Sequence, residues 1–264
     1  MDLSVDPSGF KAAYNDAVPF PHAVFDRVFP DSVLDQVLGE FPSAKSPDWI
    51  RFNTDTEKKL GSKVENKLGP ATLGFLHYLN SAPVVRFLEE LTGIQGLIPD
   101  PYYEGGGLHQ ILPGGYLKVH ADFNWHNRLK LHRRINLLIY LNKDWKEEYG
   151  GHLELWDTDM KTCRDKILPV FGKVVVFNTT DFAYHGHPNP LTCPEDRTRK
   201  SIALYYYSSS RPKSELSNAH WTLFKKRQGE EWKETLAEKA MRRLTPPILI
   251  DWGRAIKYRF QKRS

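Results

Sequence analysis

Between Tyr102 and Ser208 the chain breaks into short apolar runs separated by turn residues. The breaks include Pro113-Gly114-Gly115, Gly150-Gly151, Phe171-Gly172 and Pro188-Asn189-Pro190. Such dipeptides end regular structure, because glycine takes backbone angles other residues avoid and proline donates no amide hydrogen. The runs between them predict strands at Gly107–Leu112, Tyr116–Asp122, Arg134–Asn142, His152–Asp157, Lys166–Pro169, Lys173–Asn178, Phe182–His187 and Lys200–Ser208. About eight short strands at this spacing imply a sandwich or barrel, and the two-sheet jelly roll is the natural member of that set. The expected class is mainly β with flanking helices, a double-stranded β-helix of cupin-like form.

The flanks have a different texture. Residues 1–100 are expected to form a mostly helical support, with an early strand near Val18–Phe29. Asp31 caps a predicted helix carrying Val33, Leu34, Val37, Leu38 and Phe41 at helical spacing. Residues 43–62 read as loop with short strands. Two further helices are predicted over Pro70–Leu79 and Pro83–Leu91, the second stopped by Gly93. The expected core spans 101–212, and 213–264 is expected to be a helical, basic extension of the same structural domain. That tail concentrates charge: Lys239–Ser264 holds eight Lys or Arg against one Asp, net +7 within a chain total of +5. The other 238 residues therefore sum to −2, so the basic balance does not by itself imply a nucleic-acid partner. No apolar run reaches the roughly 20 residues of a membrane-spanning helix. Two cysteines outside any CxxC exclude a zinc ribbon or disulfide framework, and a cytoplasmic setting is expected.

Chemistry concentrates in the predicted strands. His120 and Asp122 are two residues apart, so a strand presents imidazole and carboxylate on one face. With one more histidine they form the two-histidine, one-carboxylate triad of non-haem iron(II) oxygenases. Downstream, His185 and His187 both qualify, and alternation places them on the same face. Arg199 and Ser201 also share a strand face, which suits a carboxylate: the guanidinium offers two parallel hydrogen bonds and the hydroxyl a third. Arg197 is the alternative anchor. The remaining histidines, His22, His77, His109, His126, His132, His152 and His220, are read as structural.

Six elements in order carry a resemblance: His120-x-Asp122, Ile139-Tyr140-Leu141-Asn142, Gly150-Gly151-His152-Leu153-Glu154-Leu155-Trp156, Pro169-x-x-Gly172-x-Val174-Val175-Val176-Phe177, Tyr184-His185-Gly186 and Arg199-x-Ser201-Ile202. Together Gly114–Tyr207 resembles the iron(II)/2-oxoglutarate-dependent oxygenase superfamily, in its prolyl 4-hydroxylase-like branch. The resemblance implies Fe(II) held by His120, Asp122 and His185. It implies 2-oxoglutarate held by Arg199 and Ser201 with Tyr140 contributing a hydroxyl, O2 as oxidant, and ascorbate as a candidate reductant. Asn124, Trp125 and Arg128 follow the first motif and are candidate substrate contacts. The implied reaction is hydroxylation of an unactivated carbon, on a protein side chain such as proline or on an amino acid, saccharide or secondary metabolite. The presence of Asp122 favours hydroxylation over halogenation. Alternatives are a catalytically silent jelly-roll binding protein and a nucleic-acid demethylase of the same superfamily. Tyr205, where the latter places a second arginine, counts against the demethylase. No nucleic-acid partner is expected, and the basic C-terminal helix is a candidate peripheral-membrane or partner contact.

Overall fold

The computed structural model describes residue 3, residues 5–62 and residues 67–232. Its helices are α1 (Lys11–Asp16), α2 (Asp31–Gly39), α3 (Pro70–Leu79) and α4 (Ala82–Thr92). Its strands are β1 (His22–Asp26), β2 (Trp49–Asn53), β3 (Glu57–Ser62), β4 (Ile98–Pro99), β5 (Gly107–Ile111), β6 (Tyr116–Ala121), β7 (Trp125–His126), β8 (Leu131–Tyr140), β9 (Leu153–Trp156), β10 (Cys163–Ile167), β11 (Lys173–Asn178), β12 (Tyr184–His187), β13 (Arg199–Ser208) and β14 (Leu223–Phe224). Each of the eight strands expected between residues 107 and 208 has its counterpart here.

Alternation along three long strands decides which layer each side chain joins. Ile135, Leu137 and Ile139 of β8, Val174 and Val176 of β11, and Ile202, Leu204 and Tyr206 of β13 face one way. They pack with Leu34 and Val37 of α2, Phe75, Leu76 and Leu79 of α3, and Val84, Phe87, Leu88 and Leu91 of α4. Each such buried side chain stabilises the fold by roughly 1.5–3 kcal/mol. The intervening residues, Tyr140, Val175 and Phe177, turn inward and meet Leu153, Leu155 and Ile167 of β9 and β10. The helices are therefore a layer plastered on one sheet, and the interior belongs to the strands.

Hydrogen-bonded neighbours run β1-β11-β8-β13-β5-β3-β6-β12-β9-β10, with every pair antiparallel. Strand β3 pairs with both β5 and β6 and so links the two halves. Residues of β8 and β13 line the same cavity as residues of β6, β9 and β12, so the sheet folds over on itself. This is the expected jelly roll.

Two local expectations are corrected. Asp31 is the first residue of α2, behind Pro30, and makes no capping hydrogen bond. Beyond Pro212 the chain is not helical as far as residue 232. It makes a 3-10 turn at Lys213–Glu215, then pairs Leu223 and Phe224 with Ala121 and His120 of β6. The basic C-terminal helix expected over Ile248–Lys262 lies outside the described residues. Among those described, no helix is long and apolar enough to cross a membrane.

Candidate active site

His120, at the end of β6, pairs directly with His185 of β12, and their ring centroids lie 4.5 Å apart. Asp122 follows two residues after His120. One donor atom from each of His120, Asp122 and His185 lies within 4.8 Å of the others, and no other such cluster exists among the described residues. The approach of β12 to β6 requires Gly186. A Cβ there would sit 2.8 and 2.9 Å from the carbonyl oxygens of Leu117 and Lys118.

The donor chemistry fits a divalent metal. The Nδ1–H of His120 donates to Lys118 O at 2.8 Å, and that of His185 to Ala183 O at 2.9 Å. These bonds fix the tautomers and leave both Nε2 lone pairs toward Asp122, at 3.5 Å each. Burial pushes His185 down to about 4, so its ring is the neutral form a metal needs. Asp122 is bracketed on its other side. Its Oδ2 accepts from Asn136 Nδ2 at 2.7 Å and from Arg133 Nη2 at 3.1 Å. Burial opposes the charge on Asp122, but the Arg133 guanidinium outweighs it and holds the carboxyl well below the usual range. Oδ1 stays open toward His120.

Arg133 is fully buried. Its guanidinium stacks 3.4 Å from the Tyr205 ring centroid and 4.4 Å from that of Phe123, and donates twice to Asn136 Oδ1. No sequence pattern singles out Arg133. Simple alternation puts Arg134, not Arg133, beside Asn136 and Tyr140. The β8–β13 register slips by one residue there: Ile135 faces Tyr206, but Arg133 faces Tyr207. That bulge turns Arg133 inward.

At the other end of the cavity, Arg199 is buried on β13. Its Nε donates to Gly151 O at 2.7 Å, and Nη2 reaches Tyr140 Oη at 3.4 Å. Gly151 has a φ of +74°, and a Cβ there would meet Arg199 Cδ at 2.9 Å. No carboxylate among the described residues pairs with Arg199. A buried cation without a counter-charge is costly unless something else supplies one. Ser201 pairs with Tyr140 across the sheet, and both line the cavity with Arg199. Arg197 lies outside and donates to Lys143 O. The cavity, of about 80 Å³, runs along His120, Asp122, Asn136, Leu138, Leu153 and Arg199.

The alternatives left open by alternation thus separate: His185 joins the cluster, whereas His187 is buried further along the cavity wall. His109, read as structural, also lines the cavity, as does Lys59 of β3. Asn124, Trp125 and Arg128 do not. Asn124 donates to Ser217 Oγ and Asn218 O and accepts from His220 N, tying down the segment that leads to β14. Trp125 meets the His132 ring edge to face, with centroids 4.8 Å apart. Exposed Arg128 covers Tyr102. The β14 segment crosses the triad's edge, with the Phe224 ring 5.6 Å from that of His120. It is held further by His220 on Asp181 and by Lys118 on Glu230.

Residues 106–207 match the family model described as the 2OG-Fe(II) oxygenase superfamily. Over 82 residues, 30% of the chain, the sequence is 32% identical to mouse (Mus musculus) prolyl 3-hydroxylase OGFOD1, of whose length the match spans 15%. A Pseudomonas putida prolyl-4-hydroxylase shares the fold at a TM-score of 0.55 and 14% identity, over 78% of this chain and 100% of that one. A Trichoplax adhaerens prolyl hydroxylase, solved with a hypoxia inducible factor oxygen degradation domain peptide fragment, gives 0.51 and 19%, over 76% and 89% of the chains. HygX from Streptomyces hygroscopicus, solved with nickel and 2-oxoglutarate, gives 0.52 and 12%, over 81% and 96%.

Proposed function

We propose that the chain, whose residues 106–207 match the 2OG-Fe(II) oxygenase superfamily model, is an Fe(II)- and 2-oxoglutarate-dependent dioxygenase hydroxylating an unactivated carbon. The proposed substrate is a prolyl residue of a protein, the chemistry named for OGFOD1 and for the two prolyl hydroxylases of like fold. Both cysteines are free, which suits a reducing compartment.

One observation carries the reading: a buried guanidinium with no protein counter-charge shares a cavity with a two-histidine, one-carboxylate cluster. An anion with a second coordinating end satisfies both, and 2-oxoglutarate has that form. His120 and His185 present Nε2, and Asp122 presents Oδ1, to Fe(II). Arg133 and Asn136 hold Asp122 ionised and fix its rotation. Arg199 takes the distal carboxylate, with Tyr140 and Ser201 beside it. Leu138, Leu153 and Ile111 wall the space between and keep bulk water from it. Bound there, Fe(II) supplies the redox chemistry that couples oxidative decarboxylation of 2-oxoglutarate by O2 to oxygen insertion into a C–H bond.

The test is Fe(II)-dependent release of succinate from 2-oxoglutarate, with and without a panel of prolyl peptides, amino acids and saccharides. Turnover stimulated by a prolyl peptide supports the full reading. Stimulation by a small molecule alone keeps the reaction and replaces the substrate. No succinate under any condition favours a silent binding protein and overturns the proposal.

A further inference from the structure

His187 is 4% exposed, and neither ring nitrogen has a hydrogen-bond partner among the described residues. Leaving a buried polar group unpaired costs roughly 1–3 kcal/mol, so native proteins rarely do it without reason. The ring lies on the cavity side of β12, two residues beyond His185. A slip in the β12–β6 register separates them: His185 faces His120, whereas His187 faces Leu117. His187 is therefore displaced along the cavity wall, within electrostatic reach of His120, Arg199, Lys59 and His109.

None of these neighbours offers a carboxylate. Lys59 and Arg199 are donors only, and His109 directs Nε2 at Gly105 O. Three donor-bearing side chains other than Arg199 thus border one end of a cavity whose single carboxylate, Asp122, is engaged by Arg133 and Asn136. An imidazole in either neutral tautomer carries one N–H. Lys59 is paired with Glu57 at 3.1 Å, but the His187 N–H has no acceptor among the described residues.

We propose that His187 is a positioning residue for the co-substrate, donating its ring N–H to a carboxylate oxygen of bound 2-oxoglutarate. It adds a contact to those of Arg199, Tyr140 and Ser201 and fixes the dicarboxylate along the wall between Arg199 and the triad. The inference rests on the reading of this cavity as a 2-oxoglutarate site.

The experiment measures 2-oxoglutarate binding by calorimetry to the Mn(II)-loaded protein, which needs no turnover. Wild type, R199Q, H187V and H187Q are compared, and Mn(II) affinity is measured for each. A hydrogen bond to a charged group predicts roughly tenfold to hundredfold weaker 2-oxoglutarate binding in H187V. Mn(II) affinity stays within about twofold, and H187Q, which keeps an N–H donor, recovers most of the loss. Wild-type binding that depends on Arg199 but is unchanged in H187V overturns this inference and leaves the co-substrate reading intact. Parallel loss of Mn(II) affinity in H187V and H187Q makes His187 a structural support and also overturns it. A wild-type protein that binds Mn(II) but not 2-oxoglutarate overturns both.

Discussion

Arg199→Gln separates a site charge from a structural one, because the two roles predict opposite signs. Held in the cavity without a carboxylate, the guanidinium costs on the order of several kcal/mol of lost hydration. Its bonds to Gly151 O and Tyr140 Oη return part of that, roughly 1.5–3 kcal/mol each for a charged donor. Glutamine removes the charge and keeps a donor for Gly151 O. The ligand-free variant is therefore expected to be slightly more stable, by about 1 kcal/mol, which raises the melting temperature by about 2–4 °C in a chain of this size. Binding moves the other way. Losing a buried charge pair with the co-substrate carboxylate costs about 3 kcal/mol, or roughly two orders of magnitude in Kd. Thermal unfolding of the Mn(II)-loaded protein, with and without 2-oxoglutarate, reads both effects. A destabilised variant that still binds 2-oxoglutarate like wild type refutes the reasoning and makes Arg199 a scaffold residue.

Gly186→Ala pushes a methyl group against two backbone carbonyls of β6. It is expected to cost about 1–3 kcal/mol by overpacking and to weaken Mn(II) binding at least tenfold; chemical denaturation and Mn(II) titration check these, and unchanged metal affinity contradicts the role given to the β12–β6 approach. The β14 segment is expected to detach in acid before the sheet does. Burial disfavours the charges of Asp181 and Glu230. Hydrogen bonds from His220 and Ser217, and from Arg227 and Lys118, outweigh it and leave both carboxyls below the usual range. Carboxyls so depressed stabilise the fold above their unfolded pKa, about 4, and lose that contribution as pH falls through their lower folded values. Amide exchange at Leu223, Phe224 and Lys225 should thus quicken below about pH 4 while β8 and β13 stay protected. Simultaneous loss everywhere argues against it.

Most of the fold was legible because turn residues and apolar alternation are local signals. The same alternation that marks β8, β11 and β13 as strands also assigns their side chains to the helix layer or the interior. Where register slips, that signal fails. A one-residue bulge brings Arg133 rather than Arg134 to Asp122, and no local pattern announces it. Another separates His185 from His187, which alternation treats as equals. Asn124 reads as a loop residue near the first motif, yet a segment more than 90 residues away occupies its amide. Lys59 reaches the cavity because β3 bridges the two halves of the sheet, and His109 because β5 pairs with β13, long-range pairings that composition does not encode.

The central claim is that His120, Asp122 and His185 hold a metal facing a 2-oxoglutarate anchored by Arg199. A crystal structure of the protein grown with Mn(II) and 2-oxoglutarate tests it most directly. The account predicts Mn(II) bound by all three side chains and the distal carboxylate against Arg199. A metal bound elsewhere, or a 2-oxoglutarate that leaves Arg199 with only Gly151 and Tyr140, contradicts it.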